Sequence, residues 1–150
     1  SSMLMQVQSV RIETLHLRAR CALAAARQDP AKANPWLRLA KADGRRLARE
    51  NSLFAPPMAE LTRAAVAVIE GRSRQGEEHL RRAIEGFDAA GMRQYAAAAR
   101  RRLGALAADA SLSEEALRAM EAEGIRDIDR WTRMLAPGFD TAPARLGPGS

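Results

Sequence analysis

Most of the residue types that announce chemistry are scarce in this chain. Cys21 is its single cysteine, which excludes an internal disulfide framework and a four-cysteine zinc site. Aromatic residues make up 4% of the 150 positions, and much of the 47% hydrophobic content is Ala, which packs helices closely but buries little area per residue. Any core must therefore be assembled from many small contacts. No apolar run approaches the roughly 20 residues needed to span a bilayer, and the N-terminus lacks the basic-then-apolar layout of a signal peptide. Those absences predict a cytoplasmic protein. Strand-like alternation is missing throughout, so the expected fold class is all-α.

What the chain does have is Ala, Arg, Leu and Glu in helical rhythm, at a length suited to one domain. Its net charge is +6 and its isoelectric point is near 10.8. Lys32 and Lys41 are the only lysines, so Arg carries nearly all the positive charge. Eighteen acidic residues are interleaved with it. This pattern favours solvated helix faces laced with i,i+4 pairs over one basic stripe, which argues against nucleic acid as the partner.

Seven helices are expected. The first runs from Leu4 to about Arg27, with Val7, Val10, Leu15, Leu17, Cys21 and Leu23 at mostly three- and four-residue steps. "QDPAKANP" interrupts it, and Asn34 before Pro35 can cap a second helix carrying Trp36, Leu37, Leu39, Ala40 and Leu47 to about Glu50. After Pro56 and Pro57 a third helix begins near Met58 and ends at Gly71. The fourth, about Arg74 to Ala90, is stopped by Gly91, and the fifth spans about Arg93 to Ala108. "SLSE" at 111–114 has capping-box spacing before a sixth helix, Glu114 to Glu123, and a short seventh begins near Asp127 and stops before Pro137. "SSM" at 1–3 reads as a leader added in expression before a fragment of something larger, 4–139 as one helical domain, and 140–150 as a disordered tail.

The helices repeat. "HLRARCALAAA" at 16–26 matches "LTRAAVAVIEG" at 61–71, an offset of 45 residues, and "WLRLAKADG" at 36–44 echoes "HLRRAIEGF" at 79–87, an offset of 43. Helix pairs of this length, with Ala at close-packing positions, resemble tetratricopeptide repeats. The clearest unit is 60–91, where Ala64, Gly71, Leu80, Ala83 and Phe87 fall near the family's small and large apolar positions, whereas Gly76 stands where the family usually has Ala. Three pairs would stack into a short superhelix, and the terminal pair needs a cover.

No catalytic constellation emerges, and neither a metal nor a cofactor is expected. His16 and Cys21 lie about 140° apart round the first helix, a poor arrangement for one metal, and Cys21 is expected as a small buried apolar residue. His79 is expected at the surface, since adjacent Glu78 does not face it. "GRSRQG" at 71–76 lacks the GK[ST] ending of a phosphate loop. "IRDIDRWT" at 125–132 resembles a kinase catalytic loop at Arg126 and Asp127, but Thr132 stands where Asn is required and no DFG follows. Within "RRR" at 100–102, Arg100 and Arg101 are expected in solvent and Arg102 along a groove or beside a carboxylate, a possible seat for an acidic peptide. Trp36 is expected as a core anchor. Trp131, Met134 and Leu135 form one stripe, which with Phe139 after the Pro-Gly turn is expected to be a structural cap buried on the fifth and sixth helices. Trp131→Ala should then cost about 3 kcal/mol or more.

"LHLRARCALAAA", "YAAAARRRLGAL" and "EAEGIRDIDRWTRMLAPGF", in that order, resemble the C-terminal region of large myxobacterial-type serine/threonine protein kinases over residues 6–139. The family often has Asn-Pro where this chain has Asp127 and Ile128, and Asp still caps. The resemblance implies a non-catalytic regulatory or scaffolding domain that recruits a protein or peptide partner. Helix geometry puts Arg63, Gln94, Arg101 and Arg102 on the concave partner face. A nucleic-acid-binding module is the alternative, and a monomer or weak dimer is the expected state.

Overall fold

In the computed structural model the described residues are 2–140. Helix formation follows the Ala, Leu and Arg content; glycine or proline stands at most of the breaks, and Ala108 with φ +54° at the one between α5 and α6. The helices are α1 (Ser2–Gln28), α2 (Ala33–Ala48), α3 (Ala55–Ile69), α4 (Ser73–Ala89), α5 (Arg93–Leu106), α6 (Ala110–Ala122) and α7 (Ile128–Leu135), with one 3-10 turn at Pro30–Lys32. No strand occurs among the described residues. Each of α1 to α5 packs on the helix that follows it, and α1 also reaches α3. The result is an all-α array of three antiparallel hairpins, with α7 laid against α5 and α6.

Gly71, Gly91 and Gly124 stop α3, α4 and α6 with positive φ, as their positions in the sequence predict. Two expected caps are replaced. The 3-10 turn feeds straight into α2, whose first residue Ala33 donates its N–H to the Pro30 carbonyl, so Asn34 lies inside the first turn rather than at its start. Asp109, not Ser111, caps α6: its Oδ1 accepts from the N–H groups of Ser111 at 3.0 Å and Leu112 at 3.2 Å. Asp127 caps α7 by accepting from the Arg130 N–H at 2.9 Å.

The core is built on small residues. Ala40, Ala59, Ala64, Ala83, Ala98 and Ala99 are fully buried beside Leu47, Leu80, Phe87 and Met120. Small side chains let helix axes approach closely, as the α3–α4 pair does. A Cβ on Gly76 would lie 2.6 Å from Val68 Cγ2 and 3.3 Å from the Ala64 carbonyl oxygen, so even Ala at this crossing forces its neighbours to shift.

The first helix turns a different face inward from the one its large side chains suggest. Ile12, Leu15, His16, Ala19, Ala22, Leu23 and Ala26 are buried, whereas Val7, Val10, Leu17 and Cys21 are exposed. Cys21 is therefore not the buried apolar residue expected. Trp36 is also no core anchor, being 43% exposed, because the inward stripe of α2 runs through Leu37, Ala40, Gly44 and Leu47. One carboxylate does reach the interior: Asp43 is fully buried and accepts from Arg18 in bidentate fashion, at 2.7 and 2.5 Å, with Arg46 at 3.5 Å.

Candidate functional site

The segment after α7 does not simply cover the end of the array. It runs as a non-helical segment across a groove formed by α1, α3 and α5, and arginines from the first and fifth helices read two of its carbonyls and one in the last turn of α7. Arg20 donates to the Met134 carbonyl at 2.8 Å, Arg27 to the Gly138 carbonyl at 2.8 Å, and Arg102 to the Ala136 carbonyl at 2.9 Å. Arg102 also clasps Asp140 through two bonds of 2.8 and 3.0 Å. Its guanidinium carbon lies 5.5 Å from the centre of the Phe139 ring.

The apolar side of this grip is equally close. Ala136, Pro137 and Gly138 are buried, and Phe139, half-buried, touches both hydrophobic clusters of the array. Gly138 adopts φ +94°, and a Cβ there would stand 3.1 Å from Ala65 Cβ, 3.3 Å from Leu23 Cβ and 3.4 Å from Ile69 Cδ1. Both backbone conformation and space demand glycine at this point. Burial pushes the Asp140 carboxyl up, but the Arg102 hydrogen bonds and the charges of Arg102, Arg133 and Arg27 outweigh it and hold the group below its usual range.

The expected cap residues divide. Leu135 is buried and Trp131 and Phe139 are half-buried, but Met134 is 48% exposed. Met134 points off the array because α7 is only 8 residues long and rests on one edge of α5 and α6. Phe139 is drawn under α1 and α3 instead of onto the sixth helix. The tail predicted to be disordered, 140–150, lies outside the described residues except for Asp140, which is held by Arg102. Of the leader 1–3, Ser1 lies outside them, and Ser2 and Met3 belong to α1.

The four expected partner residues do not share one face. Arg102 lines the groove, whereas Arg101, next to it, pairs with Asp129 of α7. Gln94 sits with Glu123 in a depression between the start of α5 and the end of α6. Arg63 faces the opposite side of α3, since residues two apart are rotated about 200° and Ala65 is the one beneath Gly138. There it lines a cleft of about 210 Å³ between α2 and α4 with Lys41, Arg45, Arg72 and His79. Within that cleft Glu60 binds Arg63 at 2.8 Å and His79 at 2.6 Å, and Glu70 binds Lys41 and Arg72. His79 is thus half-buried with a carboxylate partner from another helix, not the free surface histidine expected.

Arg20, Arg27 and Asp140, absent from the sequence-based candidates, complete the groove. Arg20 and Arg27 were findable: seven residues apart, they lie on one helical face. Beneath Arg20 lies His16, buried, with its ring 5.5 Å from that of Tyr95, which stacks on Phe87 at 5.2 Å. Burial, reinforced by the Arg20 charge, pushes the His16 imidazole down to about 3, so it is neutral near pH 7. Among the described residues no group of three or more His, Cys, Asp or Glu side chains could hold a metal, and no helix is long and apolar enough to cross a membrane. No family model, curated protein or solved structure matches the chain.

Proposed function

We propose that this chain is a non-catalytic protein-interaction module whose groove receives an extended, acidic peptide. The observation that carries this reading is the pair of arginine bonds from α5 and α1 to the Ala136 and Gly138 carbonyls of a non-helical segment, beside the Arg20 bond to the last turn of α7, with Arg102 holding the carboxylate at the segment's end. Bonds to carbonyls grip any extended chain, and the carboxylate and small-residue requirements add selection. Its resemblance in sequence to the C-terminal, tetratricopeptide-like region of bacterial serine/threonine kinases supports a place as a cytoplasmic regulatory or recruiting domain beside a kinase.

Nucleic acid is the competing reading of the +6 charge. The pairing of Arg11, Arg18, Arg63, Arg100, Arg101 and Arg102 with carboxylates disfavours it, because a phosphate backbone would have to displace those partners. Selection from a random peptide library on the unaltered chain tests the proposal. Enrichment of peptides with a carboxylate beside an aromatic, lost on Arg102→Glu, is the expected result. Failure to enrich any peptide, together with DNA or RNA binding that weakens steeply with salt, would replace the peptide reading with the nucleic-acid one.

A further inference from the structure

We infer that residues 136–140 are an internal ligand that holds the groove closed, and that the partner peptide is an extended segment carrying the same small-Gly-aromatic-acid pattern, which must displace them. The inference rests on the peptide-binding reading above and adds to it the sequence class of the partner and the means of its exclusion.

Three features set this segment apart from ordinary core. First, long side chains on other helices anchor its Ala136 and Gly138 backbone carbonyls, which is how a groove binds a separate peptide. Second, the helix that delivers it is short and only partly covered. Met134 is 48% exposed, and the Trp131 Nε1 is buried without a hydrogen-bond partner among the described residues. Third, the contacts are specific at each step: no side chain fits at Gly138, Phe139 sits between Arg102 and the α1–α3 surface, and Asp140 meets the Arg102 fork. A foreign peptide with a small residue, Gly, an aromatic and Asp or Glu would reproduce every one of these contacts. Leu17, Cys21 and Ala24 of α1 continue the groove beside Met134 and Pro137, leaving open apolar surface at which an incoming chain can begin to bind.

The test uses a fluorescent peptide of residues 134–140, Met-Leu-Ala-Pro-Gly-Phe-Asp, against full-length chains. Gly138→Val should eject the internal segment, and Asp140→Lys should loosen it through repulsion by Arg102, Arg27 and Arg133. A groove closed about nine-tenths of the time binds about tenfold more weakly than an open one. The expected result is at least about tenfold tighter peptide binding by Gly138→Val than by the unaltered chain, with Asp140→Lys between them. A peptide carrying Lys in place of its Asp should lose binding to the open variant. Equal binding by the unaltered and Gly138→Val chains overturns the proposal, as does loss of the helical circular-dichroism signal in that variant, since the segment would then be core. A dimer of the unaltered chain that dissolves on adding peptide would assign the groove to a second copy's segment and likewise overturn closure within one chain. Binding in trans without any foreign peptide selected from the library would sink the proposed function and leave this closure standing.

Discussion

The buried histidine makes a sharp prediction about acid. In the folded chain His16 accepts a proton only near pH 3, because it lies beneath Arg20 and against Tyr95, whereas in the unfolded chain it does so at its ordinary value of 6.5. Below 6.5 the unfolded state therefore binds a proton that the folded state does not. Stability is intact above that value and falls as the pH drops from 6.5 toward 3. Each unit in that window is worth about 1.4 kcal/mol, so lowering the pH from about 7 to about 5 should remove about 2 kcal/mol. Glu50, Glu70 and Asp140 are also held below their usual values by arginine and lysine partners, but their loss begins only below about pH 4.5, beneath the interval from about 7 to about 5. Urea unfolding followed by circular dichroism at both pH values measures the difference. His16→Phe should abolish the fall, and His79→Gln, at the only other histidine, should leave it in place. A parent chain whose stability changes by less than about 0.5 kcal/mol over this interval, or a His16→Phe chain that still loses about 2, would refute the reasoning.

Three further outcomes follow from the packing. Gly76→Ala should cost about 1–3 kcal/mol, seen as a lower Tm, because the added methyl meets Val68 and the α3 backbone; an unchanged Tm would mean the helices separate freely there. Arg18→Met should lower stability clearly more than Arg46→Met, because it strips the fully buried Asp43 carboxylate of its two short bonds, so equal losses in chemical denaturation would contradict the bidentate geometry. Trp131→Ala should cost about 2 kcal/mol rather than the 3 or more of a fully buried indole, and Met134→Ala less than about 0.5; a larger Met134 effect would show that residue packed in solution.

The helices and their order were legible because glycines and prolines, whose backbone effects are local, mark most of their boundaries. Gly76 was visible as a departure from the repeat pattern, and its cause lay in the approach of α4 to Val68. The inward face of α1 was not legible. Hydrophobic spacing pointed to Val7, Val10, Leu15, Leu17, Cys21 and Leu23, of which only Leu15 and Leu23 are buried; the rest of the inward face is Ile12, three alanines and a histidine, and alanine transfer free energies are too small to stand out. The caps moved for a local reason: a 3-10 turn can satisfy the first amides of α2 as well as a side chain can. The Glu60 partner of His79 and the arginine contacts to 134–140 join residues far apart in the chain, and one sequence carries no record of such pairings.

The bonds from Arg20 to Met134 and from Arg27 to Gly138 span 114 and 111 positions, joining the first helix to the end of α7 and the segment after it. A row of hairpins touches only nearest neighbours and tends to fray from either end. Here the two ends are tied to each other, so the row becomes a closed circuit in which neither terminal helix can peel away without breaking the tie. Opening that tie, by a peptide or by Gly138→Val, should turn one cooperative transition into a graded unravelling from α1 and α6. The same five residues that close the groove thus also decide whether the array behaves as a ring or as a string.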